Sequence, residues 1–295
     1  MKTLIVYNGH TYTIDLTKPL DISIPVRGDA FSVKAWGLEH PEVGPHTDGD
    51  FVGKVSEGAS VNFNDIHFNP HAHGTHTECV GHITKEFRSV NKSLERFFFL
   101  AELVSVTPEK RDGDEVISKA ALEQALPSWA TDILEQALKN AMPLHPQADP
   151  VPSSAQAFPP ALIIRTLPND ESKLTRQWSG TNPPYLTEEA ARFLADIGVE
   201  HLLIDTPSVD REKDEGRLLA HKAFWGVGDQ RKPKVDRSAD SQRTPRKAAT
   251  ITELVYVPDT IRDGSYFLNL QVAAFENDAS PSRPVLYDIG ETHPQ

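Results

Sequence analysis

Histidines are concentrated in one short stretch of this sequence. Five of the twelve histidines lie between residues 67 and 82, and Glu78 lies among them. These histidines are His67, His71, His73, His76 and His82. Imidazole nitrogens and a carboxylate oxygen are the ligands that zinc and other divalent transition metals favour. The stretch therefore predicts a metal centre, where a bound water whose pKa falls toward about 7 could supply hydroxide for hydrolysis.

The spacing within this stretch suggests a division of roles. In an extended segment His76 and Glu78 point to the same face, so both can reach one ion. His82 has the same parity but lies farther along, where an imidazole can act as a general acid or base without binding the metal. Gly74 allows a tight backbone turn beside them.

Composition excludes several classes of protein. The chain has 295 residues, a net charge of −12 and a sequence pI near 5.4, which disfavours nucleic acid and anionic membranes as partners. No run of residues approaches the roughly 18 apolar positions of a membrane helix, and the N-terminal apolar run is too short for a signal peptide. Cys79 is the single cysteine, so no internal disulfide can form. We expect a folded cytoplasmic protein.

Hydrophobic patterning predicts an α/β fold. An Asn8-Gly9 pair between two apolar runs indicates a β-hairpin. An apolar strand at 161–166 precedes a helix that Thr187 caps and Gly198 ends, and a second strand follows at 199–204. Further expected elements are a buried strand region at 97–106, helices at 116–126 and 129–142, and strands at 250–257, 265–274 and 284–289. Irregular segments are expected at 27–58 and 143–160, with a basic inserted loop at about 228–248.

The residues around His76 resemble a known family. Gly74-Thr75-His76-Thr77-Glu78 followed by His82 is similar to the H-x-G-T-H-x-D-x-P-x-H signature of the cyclase family, which includes bacterial kynurenine formamidases and isatin hydrolases. Residues 15–20, 185–191 and 204–210 also resemble family segments. The resemblance implies one swivelling β/β/α domain over 1–295, with a mixed central sheet and flanking helices.

The same resemblance assigns roles to individual residues. It makes His76 and Glu78 metal ligands and His82 the catalytic acid/base. His221 and Glu253 match the family residues that complete a second metal position. Zinc or manganese is the implied cofactor, with no organic cofactor, and a homodimer or higher homo-oligomer is the implied assembly.

One expected ligand is missing from its usual place. The first histidine of the family signature corresponds to Ala72, and His71 and His73 flank the gap. In a regular strand both would face away from His76, so a bulge or irregular loop must turn one of them inward. We favour His71, because His73 directly precedes Gly74. Glu78 replaces the usual aspartate, which adds one methylene without abolishing metal binding.

These residues predict a metal-dependent hydrolase of a non-peptide carbon–nitrogen bond in a small molecule. The resemblance implies an arylformamidase-like or cyclic-amide substrate, as in tryptophan catabolism through kynurenine. Two alternatives remain open. One is a catalytically inactive binding protein that kept the fold. The other is a metal-dependent dehydratase or cyclase in which Arg165 binds a substrate carboxylate.

Overall fold

The computed structural model describes residues 1–7, 10–128, 159–228 and 245–291. The Asn8-Gly9 turn, the predicted helix at 129–142, the proline-rich connector up to residue 158 and residues 229–244 of the basic loop lie outside the described residues. None of the helices in the described ranges is long and apolar enough to cross a bilayer.

One large mixed β-sheet forms the centre of the described structure. The strands of the described structure, including those of three small sheets, are β1 (Lys2–Tyr7), β2 (His10–Asp15), β3 (Leu20–Asp21), β4 (Glu42–Pro45), β5 (Thr47–Asp48), β6 (Phe51–Val52), β7 (Asn64–His67), β8 (His76–Cys79), β9 (Phe98–Val106), β10 (Glu109–Arg111), β11 (Asp114–Ile117), β12 (Ala161–Thr166), β13 (Tyr185–Leu186), β14 (His201–Ile204), β15 (Thr250–Glu253), β16 (Gly264–Asn269), β17 (Ala279–Pro281) and β18 (Val285–Glu291). The large sheet has eleven of them, ordered β1-β2-β18-β16-β9-β12-β14-β15-β8-β17, with β3 paired to β18.

The middle of the sheet is parallel and covered on both faces. Strands β9, β12, β14 and β15 run parallel, and β8 pairs antiparallel with β15. Alternate residues of β12 enter two different cores: Leu162 and Ile164 face one, Ala161 and Ile163 the other. This explains the continuous apolar run at 161–166, because a strand buried on both faces needs no polar side.

Helices cover one of these faces. The single turn α1 (Val90–Ser93) lies beside β8 and β17, and the helices of this face are α2 (Lys119–Ala125), α3 (Glu188–Asp196) and α4 (Leu219–Trp225). Leu122, Leu194 and Phe224, from α2, α3 and α4, are buried in the same core as Leu162. As predicted, the Thr187 side chain accepts from the Ala190 N–H, and Gly198 adopts a φ of 97° beyond the helix end. The mixed α/β fold predicted from the sequence is thus confirmed.

The structure corrects three details of the predicted elements. The helix predicted at 116–126 starts only at Lys119, because Val116 and Ile117 pair in parallel with β13 and Ser118 caps α2. The irregular segment at 27–58 contains short strands that pair as β4–β7 and β5–β6. Strand β15 ends at Glu253 rather than at 257, since Leu254 turns the backbone to a φ of 54°.

Candidate metal centre

Strand β8 carries the two central residues of the site. His76 and Glu78 are both 0 % exposed and lie two positions apart on this strand. Strand β15 pairs on one side, with Glu253 opposite His76, and β17 pairs on the other, with Ala279 opposite Glu78. His76 and Glu78 therefore lie inside the sheet, where neighbouring strands fix their backbones.

An irregular turn places His71 beside Glu78. The Asn69 side chain accepts from the His71 N–H at 2.9 Å, and the Ala72 N–H donates to the Asn69 carbonyl at 3.2 Å. His71 Nδ1 consequently lies 3.2 Å from Glu78 Oε2. The structure brings His71, and not His73, to the cluster, because His73 Nδ1 instead accepts from the Asn69 N–H.

Gly74 permits the close passage of this turn over the chain at Ile24. Its φ is 157°, and a Cβ atom there would lie 2.9 Å from the Ile24 carbonyl oxygen. A side chain larger than hydrogen would therefore move the segment that connects His71 to β8. The neighbouring Thr75 hydroxyl accepts from the Ile24 N–H at 2.7 Å, which fixes the same contact.

His221 enters the cluster from helix α4. Asp210 accepts from the backbone N–H groups of Ala220 and His221, and from His221 Nδ1 at 2.6 Å. The opposite ring nitrogen, Nε2, lies 2.9 Å from Glu78 Oε1. Asp210 thus holds the start of the helix and the orientation of the imidazole together.

Glu253 lies between two histidines. Its Oε2 is 3.4 Å from His76 Nε2, and its Oε1 is 3.7 Å from His221 Nε2. The Val209 N–H donates to Oε1 at 2.9 Å. The distant His221 and Glu253 are therefore both brought to the β8 residues.

His82 reaches the cluster by a route different from the one predicted. Strand β8 ends at Cys79 and residues Val80–Ile83 form a 3₁₀ turn, so His82 does not share the strand face of His76 and Glu78 as its spacing predicted. The turn still brings His82 Nε2 to 3.8 Å from Glu78 Oε2. Its side chain remains 30 % exposed, more than that of any other histidine in the cluster.

Sequence reasoning missed Asp278 and assigned no role to Asp210. Asp278 Oδ2 lies 3.0 Å from His71 Nε2 and 3.1 Å from His82 Nδ1. Asp278 directly precedes β17, about 200 positions from the histidine stretch, and its surroundings match no motif. Asp210 could have been noticed, because it follows the 204–208 turn that resembles the family.

The charges of these groups depend on one another. Burial alone would raise the pKa of Glu78, but the charges of His82 and His221 hold it well below its ordinary range. Burial alone would lower the pKa of His71, yet Asp278 and Glu78 raise it to about 10. The pKa of His221 is likewise raised against the effect of burial, by Glu78 and Asp210. The carboxylates therefore favour the protonated forms of His71 and His221.

The donor atoms fit a divalent metal ion. Three groups of donors lie within 4.8 Å of one another: His71 with His76 and Glu78; Glu78 with His82 and His221; and His71 with His82 and Asp278. Ligands around one zinc ion, each at roughly 2.0–2.2 Å, stand roughly 3–3.5 Å apart. His76 Nε2 and Glu78 Oε2 are buried without a hydrogen-bond partner, which is costly unless another group satisfies them. The cluster is therefore a potential metal site.

Arg165, considered from the sequence as a residue that could bind a substrate carboxylate, lies outside the cluster. Arg165 is 7 % exposed and occupied by Asp263 at 2.8 Å, Ser105 and two carbonyls, so it is not free to bind a substrate carboxylate. Phe224 and Trp225 are buried in the helix-side core, with the Trp225 ring 5.4 Å from that of His221. Cys79 is buried and donates to the Arg88 carbonyl, and burial raises the pKa of its thiol.

A large mixed sheet, helices on one face and a buried cluster of histidines and carboxylates define an α/β protein with a potential metal centre. The Cyclase family model matches residues 14–142 and 147–211, and the chain belongs to this family. The resemblance seen in the sequence is thereby confirmed.

Solved structures of similar fold agree with this assignment. One, described as a potential metal-dependent hydrolase with cyclase activity, is 17 % identical with a TM-score of 0.53, covering 92 % of this chain and 98 % of its own. An isatin hydrolase bound to the product analogue thioisatinate is 14 % identical with a TM-score of 0.55, covering 92 % of each chain. Isatin hydrolase A from Labrenzia aggregata, bound to benzyl benzoate, is 13 % identical with a TM-score of 0.53, covering 92 % and 93 %. No curated protein sequence matches the chain.

Proposed function

We propose that this protein is a metal-dependent hydrolase that cleaves a carbon–nitrogen amide bond in a small aromatic formamide or cyclic amide. The observation that carries the proposal is the pair of buried atoms without hydrogen-bond partners, His76 Nε2 and Glu78 Oε2, beside His71. Family membership and the names of the similar structures support hydrolysis.

The residues divide into two candidate metal positions. His71, His76 and Glu78 would hold one ion, and His221 and Glu253 would complete a second, with Glu78 between the two. A bound divalent ion supplies a Lewis acid that polarises a carbonyl and makes a water ligand acidic near neutral pH. Nitrogen and carboxylate donors suit zinc or manganese.

His82 is the proposed acid and base. Its Nε2 faces the Glu78 carboxylate at 3.8 Å, while its exposed edge is open to solvent and substrate. It would take a proton from water as the water oxygen bonds to the carbonyl carbon. It would then give that proton to the leaving nitrogen as the carbon–nitrogen bond breaks. A formamide yields formic acid and an amine, whereas a cyclic amide yields one ring-opened molecule that carries both a carboxyl and an amino group.

Aromatic side chains flank the residues of the site. Trp36 is 39 % exposed, and its indole N–H donates to the His71 carbonyl at 3.0 Å. Phe68 and Phe275, three positions before His71 and Asp278 respectively, pack with ring centroids 6.2 Å apart. Exposed ring faces next to a polar centre favour an aromatic substrate, which supports an arylformamidase-like reaction.

The test combines metal analysis with substrate hydrolysis. Purified wild type should contain zinc or manganese, or accept either, and should hydrolyse N-formylkynurenine or isatin; the faster substrate decides between formamide and cyclic amide. His82→Ala should keep the metal but lose about 10²–10⁴-fold in kcat. His67→Ala, an exposed histidine of the same stretch, should behave as wild type.

Three results would contradict the proposal. Full activity of His82→Ala would overturn the role of His82. Absence of bound metal together with no uptake of added zinc or manganese would favour the non-catalytic binding protein. Activity only on a hydroxy acid would favour the dehydratase, although Arg165, which suggested it, is buried and already paired with Asp263.

We further propose that the chain forms a single domain and that the protein is cytoplasmic. We also propose a homodimer or higher homo-oligomer, which family membership supports. Sedimentation velocity at micromolar concentration checks this, and a monomer would contradict it.

A further inference from the structure

We propose that Asp278 is a positioning residue that fixes the hydrogen-bonding tautomers of His71 and His82 at once. This inference deepens the proposed function and rests on it. Asp278 would make His71 a ligand through Nδ1 and His82 a base through Nε2. It would do so from outside the metal centre, as an acceptor and not as a ligand.

The backbone of Asp278 is held firmly against β8. Its carbonyl accepts from the Cys79 N–H at 3.0 Å, and the next residue, Ala279, pairs with Glu78. On the preceding side, the carbonyl of Asn277 accepts from the Val90 N–H at 2.8 Å. The position of the Asp278 carboxylate is therefore tied to the same strand that carries His76 and Glu78.

One carboxylate oxygen faces both histidines. Asp278 Oδ2 lies 3.0 Å from His71 Nε2 and 3.1 Å from His82 Nδ1. The two rings are close, with centroids 4.3 Å apart. Their opposite nitrogens, His71 Nδ1 and His82 Nε2, lie 3.2 Å and 3.8 Å from Glu78 Oε2. Each ring thus lies between an outer carboxylate at Asp278 and an inner one at Glu78.

This arrangement decides which nitrogen of each ring has a free lone pair. A neutral imidazole carries one N–H, and a carboxylate that accepts from one nitrogen keeps the proton there. Asp278 accepts from opposite nitrogens of the two rings, Nε2 of His71 and Nδ1 of His82. The lone pairs then both point inward, to where a metal ligand and a proton acceptor are needed.

The same contact explains how His71 can replace the ligand missing at Ala72. His71 comes from a turn, so no sheet neighbour fixes its ring, unlike that of His76 inside β8. Asp278 supplies this support from the opposite edge of the ring. A ligand shifted by one residue therefore keeps a defined orientation.

The test reads the tautomers directly. Zinc-loaded protein with ¹⁵N-labelled histidine should show, in long-range ¹H–¹⁵N spectra, the proton of His71 on Nε2 and that of His82 on Nδ1. Asp278→Ala should remove both preferences and weaken zinc binding about 10–100-fold, measured by chelator competition. Asp278→Asn should largely restore both, because a single amide oxygen can accept the two bonds that fall on Oδ2. Glu276→Gln, an exposed carboxylate of the same segment paired with Lys92, should match wild type.

Two outcomes would overturn the inference. Unchanged tautomers in Asp278→Ala would show that Asp278 does not position the rings. Zinc affinity that falls as far in Asp278→Asn as in Asp278→Ala would show that Asp278 is itself a ligand, as its grouping with His71 and His82 allows. The His82 tautomer in wild type and in Asp278→Ala is also compared on zinc-free protein. If wild type bound no zinc, the proposed function would be contradicted, and this comparison would still test the inference.

Discussion

Glu78 and Asp205 are two buried carboxylates of the same sheet with opposite surroundings. Glu78 lies in β8 at 0 % exposure, and Asp205 directly follows β14 at 1 % exposure. Asp205 accepts from Lys173 Nζ at 2.7 Å and from the backbone and hydroxyl of Thr166, both at 2.9 Å. Both of its oxygens are satisfied. Glu78 has a hydrogen bond on Oε1 only, and its Oε2 has none.

The difference separates a structural carboxylate from a candidate ligand. Burial raises the pKa of Asp205, and one lysine offsets only part of this effect. The pKa of the equally buried Glu78 is held well below its ordinary range by surrounding histidines. Burial alone therefore does not mark function. What marks Glu78 as a candidate ligand is its Oε2, which has no hydrogen-bond partner, together with the histidine nitrogens around it. A metal ion can bind both kinds of donor.

The largest expected effect follows from removing the shared carboxylate of the centre. Glu78→Gln should abolish stable metal binding and lower hydrolysis by about 10⁴-fold, equivalent to about 5 kcal/mol. The amide keeps the side-chain volume, so the protein should still fold, which circular dichroism checks. Metal content by elemental analysis and turnover of the better substrate measure the effect. Wild-type metal content in Glu78→Gln would contradict the assignment of Glu78 as a metal ligand.

Removing the partner of Asp205 should instead affect stability. Lys173→Met leaves a buried carboxylate without its counter-charge and should lower the free energy of unfolding by about 3–5 kcal/mol, measured by urea denaturation. Metal content should be unchanged. Lys54→Met is a matched control, because Lys54 pairs with Glu57 at the same 2.7 Å but on the surface, where ion pairs contribute little. Equal effects of the two substitutions would contradict the assignment.

The two carboxylates also show what the sequence could predict. The histidine stretch and its family-like spacing identified His76, Glu78 and His82, because local spacing carries the pattern. The apolar run of β12 and the capped helix α3 were predicted correctly for the same reason.

The remaining parts of the site depend on chain segments far apart in sequence. Asp278 reaches the histidines only because β17 pairs with β8. Likewise, the pairing of Lys173 with Asp205 depends on the 3₁₀ turn Glu171–Leu174 packing near the end of β14. Neither residue stands in a motif, so no pattern in the sequence could identify it. The sequence favoured His71 over His73 because His73 precedes Gly74, whereas in the structure the contacts of Asn69 direct His71 to the cluster and His73 away from it.

A smaller effect is expected from the residue that orients His221. Asp210→Asn keeps the side-chain shape, but both Asp210 oxygens accept, Oδ1 from the Ala220 N–H and Oδ2 from the His221 N–H and Nδ1–H. The amide NH₂ would therefore face one of these donors, unlike in Asp278→Asn, where both contacts fall on a single oxygen. Metal affinity should fall about 10–100-fold, measured by chelator competition. Asp214→Asn, a carboxylate that binds only backbone groups of its own loop, is the control and should keep wild-type affinity. Loss of metal from both variants would indicate a general effect on the loop.

The smallest effect comes from a buried histidine outside the centre. His201 is 4 % exposed, with Thr250 Oγ1 at 2.9 Å and the Phe99 ring beside it. Burial lowers its pKa from 6.5 to about 3, with Arg96 and Arg246 contributing. His221, equally buried, has its pKa raised because carboxylates face both ring nitrogens. Burial lowers the pKa of His201 and facing carboxylates raise that of His221, just as burial raises the pKa of Asp205 and neighbouring histidines lower that of Glu78.

The pH dependence of stability tests this contrast. Between pH 6.5 and about 3 the unfolded chain binds a proton at His201 that the folded protein does not, so stability falls as pH falls below 6.5. His201→Gln should remove about 1 kcal/mol of this loss between pH 6.5 and 5.5, in urea denaturation at each pH. His10→Gln, at an exposed position on β2, should leave the pH profile as in wild type. An unchanged profile in His201→Gln would mean that His201 binds its proton at the same pH in the folded and unfolded chains, and the contrast with His221, where carboxylates face both ring nitrogens, would fail.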